Sequence, residues 1–259
     1  MEEERTTNSI VRQIAIEEKW QYKMNPLVFK AASSGDSSFF QNLAVSDPNS
    51  STFLQVTIEK NTVLHVALQF KKFEAAKKMV NLSPSLVYET NSKGNTPLHV
   101  AARIGDFSMV KLLIDQAKKQ DVEIGGRQQL LSMVNLDRDN ALHVAVRYGN
   151  SEVVKELINE KDPAELAKQV NNAGESALFL AVDRQDYSMA SHILDNAPDC
   201  SYAGRHGMNV LHALVIHTSI CKCCPILLLK VCLLCIQLKK ATYDLFRLKG
   251  ERERESKVE

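Results

Sequence analysis

The chain has 259 residues, of which 32 are basic and 31 acidic, so its formal net charge is only +1. The sequence shows no basic stripe with interleaved aromatic residues, and with balanced charge this predicts no nucleic-acid partner. Residues 2–5 are charged and no apolar core follows them, so a secretion signal is not predicted. Cytosolic folding with reduced thiols is expected.

Residues 1–24 include the apolar side chains Ile10, Val11 and Ile14 and also Trp20, the only tryptophan of the chain. Two interpretations of this segment are open. It forms a helix that caps the structure that follows, or it is a loosely ordered leader. In both cases residues 1–24 are assigned as an N-terminal leader or capping helix.

One short motif, clearest as T-P-L-H-V-A-A at residues 96–102, recurs along most of the chain. Its histidine position, called the histidine column below, recurs every 33 to 44 residues. The column is occupied by Phe29, His65, His99, His143, Phe179 and His212. Self-similarity at this period predicts an array of stacked supersecondary units rather than one central core.

The motif also predicts where one helix of each unit, the inner helix, begins. Pro97 stands at the first helical position, where its missing N–H costs nothing. Three residues before the histidine column stand side chains that cap helix N-termini: Thr62, Thr96, Asn140, Ser176 and Asn209.

Glycine is expected to end the inner helix six residues after the column, in the left-handed conformation that it adopts cheaply. Gly35, Gly105 and Gly149 fit this rule, whereas Lys71, Gln185 and Thr218 hold the same position in the other units. These three joints are predicted to be strained by ~1 kcal/mol each, or to be built differently. An outer helix with a one-sided apolar stripe is predicted to follow, for example over residues 107–114 and 153–158.

On these residues the sequence resembles the ankyrin-repeat family, whose unit of about 33 residues carries the signature T-P-L-H-x-A. The resemblance covers residues 25–216 as about six repeats, of which the first and last are degenerate. It implies an all-α fold, a solenoid of helix-turn-helix units with short turn fingers. It also implies a non-catalytic function in protein–protein interaction.

About ten additional residues lie between His99 and His143, near residues 118–131. Repeat arrays place insertions in loops on one face, which is often the binding face. The alternative is a simple lengthening of the outer helix and of the loop that leaves it. Gly125 and Gly126 are interpreted as a loop signal.

The residues with chemical potential favour structural roles. The column histidines lie on successive repeats ~10 Å apart, too far for one metal ion, so each is predicted to bond to the cap of its own helix. Cys221, Cys223, Cys232 and Cys235 have thiolate-ligand spacing, but mostly apolar residues separate them. Zinc ligation, lipidation and unmodified thiols therefore stay open for these cysteines. No catalytic motif occurs in the sequence, and no enzyme, cofactor or metal site is predicted.

The repeat pattern stops at residue 217. Residues 217–240 form an apolar segment rich in Cys and Leu, and Pro225 interrupts what would be the last outer helix. The apolar run is too short to span a membrane, which takes ~20 residues. We expect residues 221–238 either to contact a membrane surface or to cover the end of the last repeat. Residues 241–259 are predicted to be a charged, disordered tail.

Three segments, residues 125–131, 170–176 and 204–212, resemble plant ankyrin proteins of the accelerated-cell-death type. That resemblance implies a role in plant defence or stress signalling on the cytoplasmic side of the plasma membrane, with the cytosol as the alternative. Members of that family continue into a membrane domain introduced by a Pro-Gly-Gly motif, which this sequence lacks. We therefore expect a truncated product, or a gene model read through an exon boundary.

The predicted function is a scaffold that binds protein partners on the concave face of the array. The alternative is the cytosolic regulatory half of a membrane signalling protein or channel-like assembly, detached or weakly anchored here. Arg103 and Arg147, on adjacent repeats, are expected to pair with an acidic partner. The candidate partner-binding residues are Lys93, Arg138, Asn172 and His206 at the turn tips, and Gln69, Arg103, Arg147 and Asp183 on the inner helices.

Overall fold

The structure, a computed structural model, describes residues 24–46, 51–119, 126–159 and 163–218. Within these ranges the regular elements are α-helices and short 3-10 segments, with isolated bridges in place of strands. The predicted all-α fold class is therefore confirmed. The chain divides into two compact units, Met1–Leu157 and Ile158–Glu259.

The first unit is an array of inner and outer helices. Each inner helix contacts the inner helix of the next repeat, in the order α1, α3, α5, α8, and the outer helix α4 contacts α2 and α6. This serial contact pattern is what a repeat array requires. Its helices are α1 (Pro26–Ser34), α2 (Ser37–Ser46), α3 (Val63–Gln69), α4 (Phe73–Leu82), α5 (Pro97–Ile104), α6 (Phe107–Lys119), α7 (Gly126–Ser132), α8 (Ala141–Tyr148) and α9 (Ser151–Asn159), with 3-10 segments at Ser51–Leu54 and Pro84–Tyr88.

The second unit continues with α10 (Pro163–Lys168), α11 (Ala177–Asp183), α12 (Tyr187–Asn196), a 3-10 segment at Arg205–Gly207 and α13 (Val210–Thr218). The inner helix α11 contacts both α12 and α13. Cys200 is buried here, and burial raises the pKa of its thiol to about 12. A thiol in this environment stays protonated and is therefore a poor nucleophile or metal ligand.

Side-chain caps determine where the inner helices begin. Thr62, Thr96, Asn140 and Ser176 each accept a hydrogen bond from the backbone N–H three residues later, and Asn209 does the same. The five predicted caps are therefore confirmed. In the first repeat the cap is Asn25, four residues before Phe29 rather than three, so α1 begins one residue earlier than its counterparts.

The ends of the inner helices follow the predicted rule in every repeat but the last, where Thr218 is still part of α13. Gly35, Gly105 and Gly149 adopt left-handed backbone angles, with φ between 74° and 84°. Lys71 and Gln185, which replace glycine, adopt the same conformation with φ of 56° and 61°. All five joints therefore have the same backbone geometry. The left-handed conformation costs ~1 kcal/mol at each of the two residues that are not glycine.

The core lies between inner and outer helices. The alanines two residues after the column, Ala67, Ala101, Ala145 and Ala181, are fully buried, as are Val110, Leu113, Ile114, Val153 and Leu157 of the outer helices. Phe107 was assigned to the same apolar stripe, but it is 38% exposed because it occupies the first position of α6.

The long step between His99 and His143 contains a lengthened outer helix and one additional helix. Helix α6 has 13 residues, against 10 in α4. Helix α7 then packs against α6 and buries Leu130. Gly126 is the first residue of α7, so the interpretation of Gly126 as a loop residue was wrong. Residues 120–125 lie outside the described ranges.

Several predictions fall outside the described residues. They concern the segment before Met24, the cysteine pairs, the membrane contact of residues 221–238 and the charged tail, and they stay predictions, as do the domain boundaries. Across the described ranges, no helix is long and apolar enough to cross a bilayer. The same ranges hold no group of three or more His, Cys, Asp or Glu side chains that could share a metal ion.

Candidate interaction surface

A narrow turn of five residues, called a finger below, precedes the cap of each inner helix from α3 onward. In every finger the first N–H donates to the fifth carbonyl oxygen at 2.9 to 3.1 Å. The fourth residue of every finger is left-handed, whatever its side chain: Lys60, Gly94, Arg138, Gly174 and Gly207. The fingers are residues 57–61, 91–95, 135–139, 171–175 and 204–208. The first four fingers thus share one backbone conformation with different side chains, whereas the last finger also has its third residue, His206, in the left-handed region.

An asparagine begins three of the fingers and holds each of them closed. The Oδ1 atom of Asn135 accepts hydrogen bonds from the N–H groups of Asp137 and Asp139 at 3.0 and 2.9 Å. Its Nδ2 donates to Asn95 Oδ1, in the preceding finger, at 3.1 Å. Asn91 and Asn171 close their own fingers in the same way. We did not predict this role, although the three asparagines all stand eight residues before the histidine column.

We predict that Asn135→Ala destabilises the first unit by ~2–3 kcal/mol. The change removes three hydrogen bonds and leaves the partly buried N–H of Asp139 without its acceptor, and each lost bond costs ~0.5–1.5 kcal/mol. Urea unfolding followed by circular dichroism measures the effect. Asn81→Ala, on the exposed side of α4, is the matched control and should change stability by no more than ~0.5 kcal/mol. Equal effects of the two variants would contradict the prediction.

The column histidines connect each repeat to the next. His99 Nδ1 lies 2.8 Å from Thr96 Oγ1, which confirms the predicted bond to the cap, and His99 Nε2 lies 3.0 Å from the carbonyl oxygen of Asp139. Because a carbonyl oxygen only accepts, Nε2 carries the proton and Nδ1 accepts. His65 makes the same two contacts with Thr62 and Asn95. The bond to the next finger was not predicted.

Burial keeps these two histidines neutral. It lowers the pKa of both His65 and His99 from 6.5 to about 4, against the opposing effect of the backbone carbonyl that each one contacts. The positive charge that each ring would impose on its neighbour in the column adds to the lowering. His65 and His99 are therefore neutral at neutral pH, and both ring nitrogens of each are engaged in hydrogen bonds that hold the repeats together.

A different arrangement replaces the histidine in the second unit. Phe179 cannot hydrogen-bond to the next finger, and the ring instead packs against Gly204, the first residue of that finger. Arg205 lies over the Phe179 ring with its guanidinium carbon 5.7 Å from the ring centroid. The same guanidinium makes ion pairs with Asp183 and with Glu175, the latter at 3.6 Å. A cation over an aromatic face is an attractive contact, so it substitutes for the lost hydrogen bond.

The candidate finger residues of the first unit, Lys93 and Arg138, are both exposed. Their fingers are joined by a hydrogen bond from the Leu136 N–H to the Lys93 carbonyl oxygen at 3.0 Å. The two cationic side chains therefore belong to neighbouring fingers of one continuous row. Their role in partner binding stays a prediction.

The candidate inner-helix residues of the first unit differ in how their charges are used. The Arg147 guanidinium contacts both carboxylate oxygens of Asp139 at 3.0 and 3.1 Å, and the Asp139 side chain is only 6% exposed. Arg103 is half-buried and makes no ion pair with another described residue. Gln69 ends α3 and is exposed, with its amide nitrogen 3.5 Å from Asn61 Oδ1. Of the two inner-helix arginines, Arg103 is therefore the one whose charge is not already paired with another described residue.

The other three candidates lie in the second unit. Asn172 and His206 are exposed finger residues, and His206 is left-handed with φ of 55°. Asp183, the last residue of α11, pairs with Arg205, and its Oδ1 lies 3.7 Å from His217 Nε2. Asp183 therefore contacts the next finger through Arg205 as well as lying at the end of its inner helix.

Exposed apolar side chains on the fingers and inner-helix ends were missed by the sequence interpretation. Ile58 and Leu136, both second in their fingers, are 89% and 70% exposed, and Phe70 and Tyr148, both five residues after the column, are 51% and 54% exposed. The sequence signal that could have identified them is their fixed position, either second in the finger or five residues after the histidine column. Mixed cationic and apolar side chains on a rigid backbone suit recognition of another protein rather than a reaction.

These repeats identify the class of protein. A family model described as ankyrin repeats matches three times, at residues 28–125, 125–203 and 142–233, and the chain belongs to the ankyrin-repeat family. Ankyrin repeats form protein–protein interaction domains and are typically non-catalytic. Among curated proteins, the chain is similar to Protein ACCELERATED CELL DEATH 6 of Arabidopsis thaliana, with 30% identity over 95 residues. The match covers 36% of this chain and 13% of that relative's length.

Two solved structures show the same fold. The ankyrin repeat domain of Bcl-3, a member of the IkappaB protein family, has a TM-score of 0.59 and 21% identity, over 74% of this chain and 80% of that one. The ankyrin repeat protein EF0377 has a TM-score of 0.61 and 20% identity, over 76% of this chain and 94% of that one. At this level of identity the likeness concerns the fold alone.

Proposed function

We propose that this chain is a non-catalytic scaffold that binds an acidic protein segment on the fingers and inner-helix ends of its first unit. The observation that carries the proposal is Arg103, a half-buried cation without an ion pair to another described residue. Lys93 and Arg138 add exposed positive charge on two joined fingers. A partly desolvated guanidinium gains most from a carboxylate supplied by a partner, because it binds both oxygens at once.

The expected result for Arg103→Ala is a five- to tenfold loss of affinity for that partner, which corresponds to ~1–1.4 kcal/mol. The partner is first captured by crosslinking on the wild-type chain, and its affinity is then measured by calorimetry. Lys111→Ala, an exposed cation on the outer helix α6, is the matched control and should leave the affinity unchanged. If Arg103→Ala combined with Arg147→Ala left every captured partner and its affinity unchanged, the proposal would be wrong.

We further propose that the scaffold acts in plant defence or stress signalling, as a relative of the accelerated-cell-death type. The support is the resemblance of residues 125–131, 170–176 and 204–212 to that family and the 30% identity to the Arabidopsis relative. The test is the response of plants that lack the chain to a pathogen or to salicylic acid. A response identical to that of the parent line would contradict this assignment.

A second candidate function follows from the same resemblance, since members of that family carry a membrane domain. In it, the repeats are the cytosolic regulatory half of a membrane signalling protein or channel-like assembly, held at the cytoplasmic side of the plasma membrane through residues 221–238. Cell fractionation distinguishes the two. A pool that stays soluble at physiological salt supports the free scaffold, and a pool that sediments with membranes supports the membrane-bound assembly.

A further inference from the structure

An apolar groove lies beside the first repeat. Its volume is about 570 Å³, and its walls are the ends of α1 and α3 and the finger at residues 57–61. Met24, Phe29, Ile58, Val66 and Phe70 supply the apolar lining. The rings of Phe29 and Phe70 meet edge to face, with centroids 6.1 Å apart. The size is that of a site which takes one or two large side chains.

The groove exists because the first repeat lacks the connection that the later repeats make. In the second and third repeats a column histidine is buried and reaches the carbonyl oxygen of the next finger. Phe29 occupies the column in the first repeat, cannot form that bond, and is 39% exposed. The finger that faces it presents Ile58 almost entirely to solvent, at 89% exposure. Two large apolar surfaces therefore face each other across a gap that nothing in the described residues fills.

Residues 1–23, the chain's N-terminal segment, join the described structure at the edge of this groove. Met24 lines the groove, and its N–H donates to the carbonyl oxygen of Val56 at 2.8 Å, which fixes the point from which residues 1–23 depart. Trp20 precedes Met24 by four residues, a reach of up to ~13 Å in extended chain. Its indole offers a large apolar area with a polar N–H, which the Thr57, Glu59 and Asn61 side chains at the groove could accept.

We propose that residues 1–23 occupy this groove in cis, with the Trp20 side chain packed between Phe29, Ile58 and Phe70. Gln69 also lines the groove, so the docked segment covers one end of the row of partner-binding residues. The inference does not depend on the proposed acidic partner, which concerns Arg103.

Trp20 reports its own environment, because it is the only tryptophan of the chain. In the full-length protein we expect emission to the blue of free N-acetyltryptophanamide and weak quenching by acrylamide. Ile58→Asp and Phe70→Ser, which change exposed side chains, are each expected to shift the emission to the red and to raise the quenching constant at least twofold. Leu136→Asp is the matched control, since Leu136 holds the same place in another finger, and it should change neither quantity.

Three outcomes would overturn the proposal. Solvent-like emission in the wild-type chain would show that Trp20 does not dock. Blue emission that Ile58→Asp and Phe70→Ser leave unchanged would place Trp20 at another site. Blue emission that is lost on dilution would make a second copy of the chain the occupant. Circular dichroism of each variant checks that the fold is retained.

Discussion

Gly204→Ala is expected to destabilise the second unit by ~2–3 kcal/mol, although it adds a single methyl group. A Cβ built on Gly204 lies 2.2 Å from both Cδ2 and Cε2 of Phe179, far inside contact distance. Phe179 is fully buried, so its ring has no free space into which to move. Inserting a methyl into such a contact costs ~1–3 kcal/mol. Gly204 has φ of −140°, an extended conformation that any residue adopts, so the cost is steric rather than conformational.

A double-mutant cycle separates this contact from a general effect on the finger. Phe179→Leu removes the ring edge that the new methyl would meet, so Gly204→Ala should cost at least 1 kcal/mol less on that background. The quantity measured is the free energy of urea unfolding of the full chain by circular dichroism. Additive effects of the two substitutions would show that the Phe179 ring is not the obstacle.

Much of this fold could be predicted because it rests on local rules. A capping side chain, a histidine three residues later and a glycine six residues after that lie close in sequence, and each acts on its own helix. Where glycine is missing, the rule still identified the right joints: Lys71 and Gln185 are left-handed, as the glycines are. Asn25 was not predicted as a cap because α1 begins one residue early. Its cap therefore lies four residues before the histidine column, whereas the other caps lie three residues before it.

The surface could be predicted less well, because its properties depend on pairs of residues from different parts of a repeat. Arg147 and Arg103 occupy equivalent positions in the motif, yet only Arg147 has an aspartate at the end of its own finger. The corresponding residue of the Arg103 repeat is Asn95, which binds Asn135 instead. Likewise, the groove arises from two residues, Phe29 and Ile58, whose separation in the folded chain no motif specifies.

Lowering the pH is expected to reduce the free energy of unfolding more than any single substitution proposed above, because two buried histidines take up protons only when the chain unfolds. The pKa of His65 and of His99 is about 4 in the folded protein and 6.5 in the unfolded reference. Above pH 6.5 both states are neutral and the full stability is present. As pH falls from 6.5 to about 4 only the unfolded chain takes up these protons, so stability falls by up to ~1.4 kcal/mol per pH unit for each histidine. Together the two rings account for a loss of ~6–7 kcal/mol, most of the stability of a typical domain.

The double variant His65→Gln/His99→Gln tests whether these rings cause the loss. It should be less stable than the parent at pH 7.5, because the bonds to Asn95 and Asp139 are lost or weakened. Its unfolding free energy should nevertheless fall less steeply between pH 6.5 and 4.5, because two groups that take up protons only on unfolding in this interval are gone. Carboxylates contribute little in this interval, since their unperturbed pKa values lie at or below its lower edge. An unchanged slope in the variant would assign the acid sensitivity to other groups. A shallower slope would show that His65 and His99 stabilise the folded chain only while they are neutral.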